Sequence, residues 1–234
     1  MKEYLFSAQI DSALNIINQG GPVVIILLGL SVIATTFILI KLFQIVWFRI
    51  GSSAGVNKVI ELWLKGYTHE AYELVKNSHN PTKNILAHLM RGLLQRTTDK
   101  AVVREDIERI ALKEVGKLRS FMRPLEAIVQ IAPLLGLFGT VIGMIEAFQT
   151  LQSAGSEADP AVLAGGIWVA LLTTAVGLAV AIPLAFVVSW FDGRIEAERL
   201  TMQEAITSLL TGRVTDEARI SEDSVQQETV RNAA

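Results

Sequence analysis

The sequence predicts an all-α integral membrane protein with three transmembrane helices and long cytoplasmic helical extensions. Three long apolar segments interrupt the 234-residue chain, 51% of its residues are hydrophobic, and its mean hydropathy is +0.42. A soluble protein of this size needs a more polar surface than that composition provides. The charged residues are concentrated in one block between the first and second apolar segments, which fits a membrane protein with one large polar domain.

The three apolar segments predict transmembrane helices at residues 22–48, 124–150 and 161–191. A bilayer-spanning helix needs about 20 residues, and lipid leaves no solvent for open backbone groups. Residues 12–40 and 160–191 carry no charge, and Glu146 is the only charged residue in 127–148. A cleavable signal peptide is the alternative for the first segment. It fits poorly, because the apolar run is too long, begins late and precedes no small-residue cleavage site.

The distribution of basic residues predicts the orientation of the chain. The segment 49–123 holds 14 of the 21 lysines and arginines, and the loop 151–160 holds none. By the positive-inside rule, 49–123 is a cytoplasmic helical domain, and both the N-terminus and the loop 151–160 are periplasmic. Residues 1–21 fit an amphipathic helix on the outer face or a frayed terminus. Residues 192–213 fit a cytoplasmic helix, and 214–234 a disordered tail.

Helical spacing of apolar residues continues outside the apolar segments. The pattern from Lys100 to Met122 predicts one long helix that enters the second span, with a bend near Pro124. Residues 97–99 are an N-cap signal before it. The third span should likewise continue past the apolar segment, on apolar positions at Ile195, Leu200, Ile206 and Leu210.

The second and third spans contain small residues at helical spacing, which allow two helices to approach closely. These candidate packing residues are Gly136, Gly139 and Gly143 in the second span and Gly166, Ala170 and Gly177 in the third. Helix contacts of this kind occur in any multi-span protein, so these residues predict close helix packing and do not by themselves indicate a function.

Four polar residues of these two spans could carry chemistry. Thr140, Thr173 and Thr174 lie within apolar sequence, where a hydroxyl can bond to a carbonyl of its own helix or line a water chain in a lumen. Glu146 lies near the outer end, as a snorkelling interfacial residue or an ion entrance. Neither span has an ionisable residue at mid-depth, so a proton channel would need an acid from another chain.

Several function classes are excluded or disfavoured by what the sequence lacks. There is no cysteine, the three histidines lack metal-ligand spacing, and no nucleotide-binding glycine loop occurs. We therefore predict no catalytic residue, no metal and no cofactor. The net charge of −2 gives no support for nucleic-acid binding. The basic residues of 49–123 instead predict contact with anionic lipids of the inner leaflet.

Two runs on adjacent spans resemble the ExbB/TolQ family, and ExbB most. They are IAPLLGLFGTVIGMIEAF at residues 131–148 and TTAVGLAVAIP at residues 173–183. The resemblance implies a homopentameric ring around the helices of an ExbD- or TolR-like single-span partner, which would supply the proton-accepting aspartate. It further implies a Gram-negative inner-membrane motor that uses proton motive force to energise a TonB- or TolA-like protein. Thr140 and Thr174 match the family's pore-facing threonines.

One departure from the family pattern bears on the proton path. Many relatives have a glutamate a few residues before the paired threonines, where this chain has Val169. The alternatives are a TolQ-like subunit, a gliding-motor stator subunit, or a membrane scaffold that conducts no ions. A MotA-type flagellar stator would need a fourth span, and an intramembrane enzyme would need catalytic groups that the spans lack.

Overall fold

A computed structural model describes residues 21–48, 50, 54–94, 99–154 and 159–212. These residues form helices and connecting turns, with no strand among them. The helices are α1 (Gly21–Trp47), α2 (Ala54–Leu64), α3 (Thr68–Glu73), α4 (Pro81–Leu94), α5 (Lys100–Leu118), α6 (Met122–Ala154) and α7 (Pro160–Thr211). The all-α prediction is confirmed. The predictions for residues 1–20 and 213–234, and for part of the loop 151–160, fall outside the described residues.

Three of these helices, α1, α6 and α7, are long and apolar enough to cross a membrane, as the sequence predicted. They have 27, 33 and 52 residues. Only 22% of the most apolar window of each helix is buried within the chain. The remaining apolar side chains, such as Phe186 at 75% exposure, therefore require lipid or other protein chains around them.

The chain divides into two compact units. The first contains Met1–Leu42 and Phe121–Asp192, which include most of the three apolar helices. In this unit α1 packs against both α6 and α7. Val23 and Leu27 lie against Ala132 and Ala181, and Ala34 lies in a second cluster with residues of α6 and α7. The first span is thus packed on the hairpin formed by the other two.

The predicted continuous helix from Lys100 into the second span is wrong. Helix α5 ends at Leu118, and α6 begins at Met122. Phe121 has φ of 63°, a left-handed conformation that is unfavourable for a side chain with a Cβ. Its ring stacks on Phe37, with centroids 5.6 Å apart, and this contact helps to hold the turn. Pro124 lies in the first turn of α6, where its missing N–H breaks no helical hydrogen bond.

The second unit contains Phe43–Ser120 and Gly193–Ala234, with helices α2 to α5 and the C-terminal part of α7. Helix α7 runs without a break to Thr211, so the predicted extension of the third span is present. Its buried face includes Ile195, Met202 and Ile206. Leu200, predicted for that face, is 53% exposed, because it lies on the opposite side of the helix. The predicted N-cap of α5 is also present, since the Asp99 carboxylate accepts a hydrogen bond from the Ala101 N–H at 3.0 Å.

Candidate functional site

The candidate site is the hairpin of α6 and α7, whose backbones meet through small residues. A Cβ placed on Gly177 would lie 2.7 Å from the Ala132 carbonyl oxygen. One on Gly143 would lie 2.8 Å from the Cβ of Ala170, and one on Gly166 would lie 2.7 Å from the Cβ of Ala147. Real Cβ contacts are essentially never this short, so glycine is required along this contact at its present spacing. We call the contact the glycine seam.

Gly136 lies at the centre of the glycine seam and accepts hydrogen bonds from the opposite helix. The Thr173 hydroxyl lies 3.0 Å from the Gly136 carbonyl oxygen, and the Thr174 hydroxyl lies 3.1 Å from it. Thr174 donates from α7 to α6, and the single hydroxyl hydrogen of Thr173 is shared between the Gly136 carbonyl and the Ala170 carbonyl of its own helix. Hydroxyl-to-carbonyl bonds between membrane helices each contribute about 0.6 kcal/mol, so the pair fixes the register of the hairpin more than it adds stability.

The two neighbouring threonines differ in their surroundings. Thr173 is 3% exposed, and its hydroxyl also points to the Ala170 carbonyl of its own helix at 2.7 Å. A Cβ on Gly139 would lie 2.5 Å from the Thr173 oxygen, so glycine at this position provides the room for that side chain. Thr174 is half-buried. Of the two, Thr174 presents more of its surface outside the hairpin.

Thr140 is half-buried and donates to the Leu137 carbonyl of its own helix at 2.6 Å. It follows Gly136 by one helical turn, so it lies on the same face of α6 as the carbonyl that Thr174 reaches. By the resemblance, Thr140 and Thr174 match the family's pore-facing threonines. The structure brings both side chains to neighbouring levels of the hairpin.

The ionisable residues of the hairpin lie away from these threonines. Glu146 is exposed, and its carboxylate has no ion pair or hydrogen bond among the described residues. Val169 is half-buried and lies one turn before Thr173. The described residues contain no group of carboxylates or histidines that could hold a metal ion. This stretch of the hairpin therefore offers hydroxyl and carbonyl groups but no acid or base.

Sequence reasoning missed a buried carboxylate in the second unit. Glu198 is 2% exposed, and its carboxylate accepts hydrogen bonds from the Thr82 hydroxyl at 2.5 Å and the Asn80 amide at 3.5 Å. The bonds connect α7 to the start of α4. The sequence contained a signal for this burial. Glu198 lies three residues after Ile195 and four before Met202, and this spacing places it on the same buried face of α7.

A second buried ionisable residue, Lys41, lies in α1. It is 1% exposed within the described chain. It has an interaction partner in the folded chain, so it is not a solvated residue at the membrane boundary.

The fold and the hairpin define a class, namely helical multi-span membrane proteins with closely packed, hydroxyl-bearing transmembrane helices. The family model described as the MotA/TolQ/ExbB proton channel family matches residues 77–204, more than half of the chain. The chain belongs to this family, and the resemblance found in the sequence is confirmed. The match begins at residue 77 and covers all of α6 and α7 as far as residue 204.

Curated relatives support the same assignment. A biopolymer transport protein ExbB homolog of Methanothermobacter thermautotrophicus is 36% identical over 64% of this chain and 52% of its own length. An ExbB-like biopolymer transport protein of Synechocystis is 34% identical over 76% of this chain and 70% of its own. The TolQ protein of the Haemophilus influenzae Tol-Pal system is 35% identical over 36% of this chain and 37% of its own. The chain thus spans about half the length of the Methanothermobacter relative.

Proposed function

We propose that this chain is the channel-forming subunit of an ExbB-type inner-membrane motor driven by proton motive force. The observation that carries the proposal is the hairpin itself. It places the hydroxyls of Thr140 and Thr174 at neighbouring levels and provides no titratable group beside them. Such a surface can hold water but has no group to bind and release protons. The acid therefore comes from a single-span, ExbD-like partner.

In the proposed assembly five copies form a ring, with α6 and α7 lining the lumen and α1 outside. The apolar surface that each span leaves exposed supports contacts with neighbouring copies and lipid. Thr174 and Thr140 line the lumen and order a water chain toward the partner's acid. Thr173, buried within the hairpin, holds α7 on α6 and keeps Thr174 in position.

The partners and the orientation complete the proposal. The basic segment 49–123 faces the cytoplasm and the anionic inner leaflet, and the loop 151–160 faces the periplasm. There the complex energises a TonB-like protein for transport across the outer membrane. The similarity to a TolQ protein favours a second candidate, in which the energised protein is TolA-like.

The first test is co-expression with a single-span membrane protein that carries an intramembrane aspartate, followed by native mass spectrometry of the extracted complex. Five copies of this chain with two of the partner are expected. A monomer or dimer without such a partner would remove the lumen and the role of the threonines. Co-purification of a TonB-like or a TolA-like protein would separate the two candidate systems.

The second test measures proton flux into proteoliposomes that contain the same complex. Thr174→Val and Thr140→Val should reduce flux while leaving the assembly intact, because valine keeps the shape and removes the hydroxyl. Thr36→Val is the matched control, since the Thr36 hydroxyl bonds to the Val32 carbonyl of α1 itself. Wild-type flux in all three variants would refute the role of the threonines, and no flux above protein-free liposomes in the wild type would favour a scaffold that conducts no protons.

A further inference from the structure

A polar cavity of about 490 Å³ lies in the second unit, at the end of the first span. One wall is formed by Trp47, the last residue of α1, and by Phe48 after it. The other wall consists of Ser78, His79, Asn80 and Lys83, around the start of α4. Nothing in the proposed channel uses this cavity, which is separate from the hairpin.

The aromatic wall is typical of a site at the level of the lipid headgroups. Trp47 is 59% exposed, and its ring contacts Phe43 on the same face of α1, with centroids 5.3 Å apart. Tryptophan at the end of a membrane helix lies at the headgroup level, with its apolar ring toward the acyl chains. The cavity therefore suits a ligand with a polar part near α4 and an apolar part beside α1.

The polar wall provides hydrogen-bond donors and a positive charge. The Lys83 ammonium lies 2.9 Å from the position of a Cβ on Gly55, so the absence of a side chain at Gly55 leaves room for it. No carboxylate among the described residues pairs with this ammonium, and no carboxylate lines the cavity. Asn80 caps α4 by accepting from the Lys83 N–H at 3.1 Å, and the Ser78 hydroxyl accepts from the Asn80 N–H at 3.2 Å. These two bonds fix the loop before α4, which carries hydrogen-bond donors of the polar wall.

We propose that this cavity binds the phosphate group of one phospholipid, with Lys83 as the principal phosphate contact and Trp47 against the glycerol and upper acyl chain. An ammonium without a carboxylate partner favours an anion, and the adjacent aromatic wall favours a lipid over a soluble phosphate. An anionic headgroup is preferred to a choline headgroup, whose own ammonium would lie near Lys83. Phospholipid binding in this cavity does not require that the protein conduct ions.

The test is native mass spectrometry of the full-length protein, titrated separately with short-chain phosphatidylglycerol, short-chain phosphatidylcholine and inorganic phosphate. One tightly bound phosphatidylglycerol per chain is expected. Lys83→Gln removes the charge, and Gly55→Ala moves the ammonium by occupying its space. Each should weaken that binding on the order of tenfold. Lys58→Gln is the matched control, because Lys58 is exposed on the same helix as Gly55 and does not line the cavity.

Three results would overturn the proposal. The first is equal binding of phosphatidylglycerol by Lys83→Gln and Lys58→Gln. That result would mean that the lipid is held by general attraction to the basic surface and not by this cavity. The second is displacement of the lipid by inorganic phosphate at similar concentration, which would make the cavity a site for soluble anions. The third is the absence of any bound lipid in the wild-type protein. Proton flux measured on the same Lys83→Gln protein separates failure here from failure of the channel proposal.

Discussion

Replacement of Gly177 by alanine should open the glycine seam. The added Cβ would lie 2.7 Å from the Ala132 carbonyl oxygen, whereas ordinary contacts begin near 3.4 Å. The obstacle is backbone, so the helices must part by roughly the difference, about 0.7 Å. The Thr173 and Thr174 bonds to Gly136, now 3.0 and 3.1 Å, would then exceed hydrogen-bonding distance.

The energetic cost follows from these two effects. Overpacking costs about 1–3 kcal/mol, and the two interhelical bonds together contribute about 1 kcal/mol. The substitution also stabilises the helix by about 1 kcal/mol, because alanine has a better helix propensity than glycine. The expected net loss of stability is therefore about 1–3 kcal/mol.

Gly165→Ala is the matched control for Gly177→Ala. It makes the same chemical change in the same helix, but no atom lies within 4 Å of the added Cβ. The assay is thermal unfolding of the detergent-solubilised protein, with the oligomeric state of each variant checked first. Gly177→Ala should unfold at a clearly lower temperature than both the wild type and Gly165→Ala. Indistinguishable unfolding of the two variants would refute the close approach of the helices.

Four further predictions concern other parts of the chain. Glu198→Ala should destabilise the protein by about 1–3 kcal/mol, because buried donors lose their acceptor. Glu198→Gln, which keeps an acceptor for the Thr82 hydroxyl, should cost less in the same unfolding assay. Phe121→Gly should be more stable than Phe121→Ala by about 1–2 kcal/mol, since both lose the ring and only glycine relieves the left-handed conformation. Asp99→Ala should cost about 1 kcal/mol and Asp99→Asn much less, read by hydrogen exchange at the start of α5. Val169→Glu should add a second titration to the pH profile of proton flux, and an unchanged profile would place this residue outside the proton path.

The sequence predicted the elements that depend on hydrophobicity alone. Three apolar runs of sufficient length identify three membrane helices, because lipid permits few other structures. The break between α5 and α6 was missed because no glycine or proline occurs at residues 119–121. The conformation of Phe121 is supported by its ring contact with Phe37, about 80 residues earlier in the chain. The local sequence pattern does not indicate a contact between residues so far apart.

The site was predicted in part, for a related reason. The small residues and threonines of the hairpin are visible as a pattern, but adjacent threonines differ by about 100° around a helix, and only packing decides which one is buried. The structure buries Thr173 and leaves Thr174 half-buried. Glu198 was not predicted as part of any site. Its burial depends on Thr82, which lies far from it in sequence.

The glycine seam also bears on the proposal that the acid belongs to another chain. Along this contact the helices approach until even a methyl group at Gly143 or Gly177 would clash. A carboxylate within the contact would need more space and would be buried without water, which is strongly unfavourable unless it is paired. Any titratable group must therefore lie on a face of the hairpin directed outward, where Thr174 is partly exposed. A partner helix that brings an acid to that face can also be displaced when the acid gains or loses a proton, since its charge is not fixed within the hairpin. A close-packed hairpin with no acid in its helix contact thus fits the proposed motor, in which the moving and the stationary parts are separate chains.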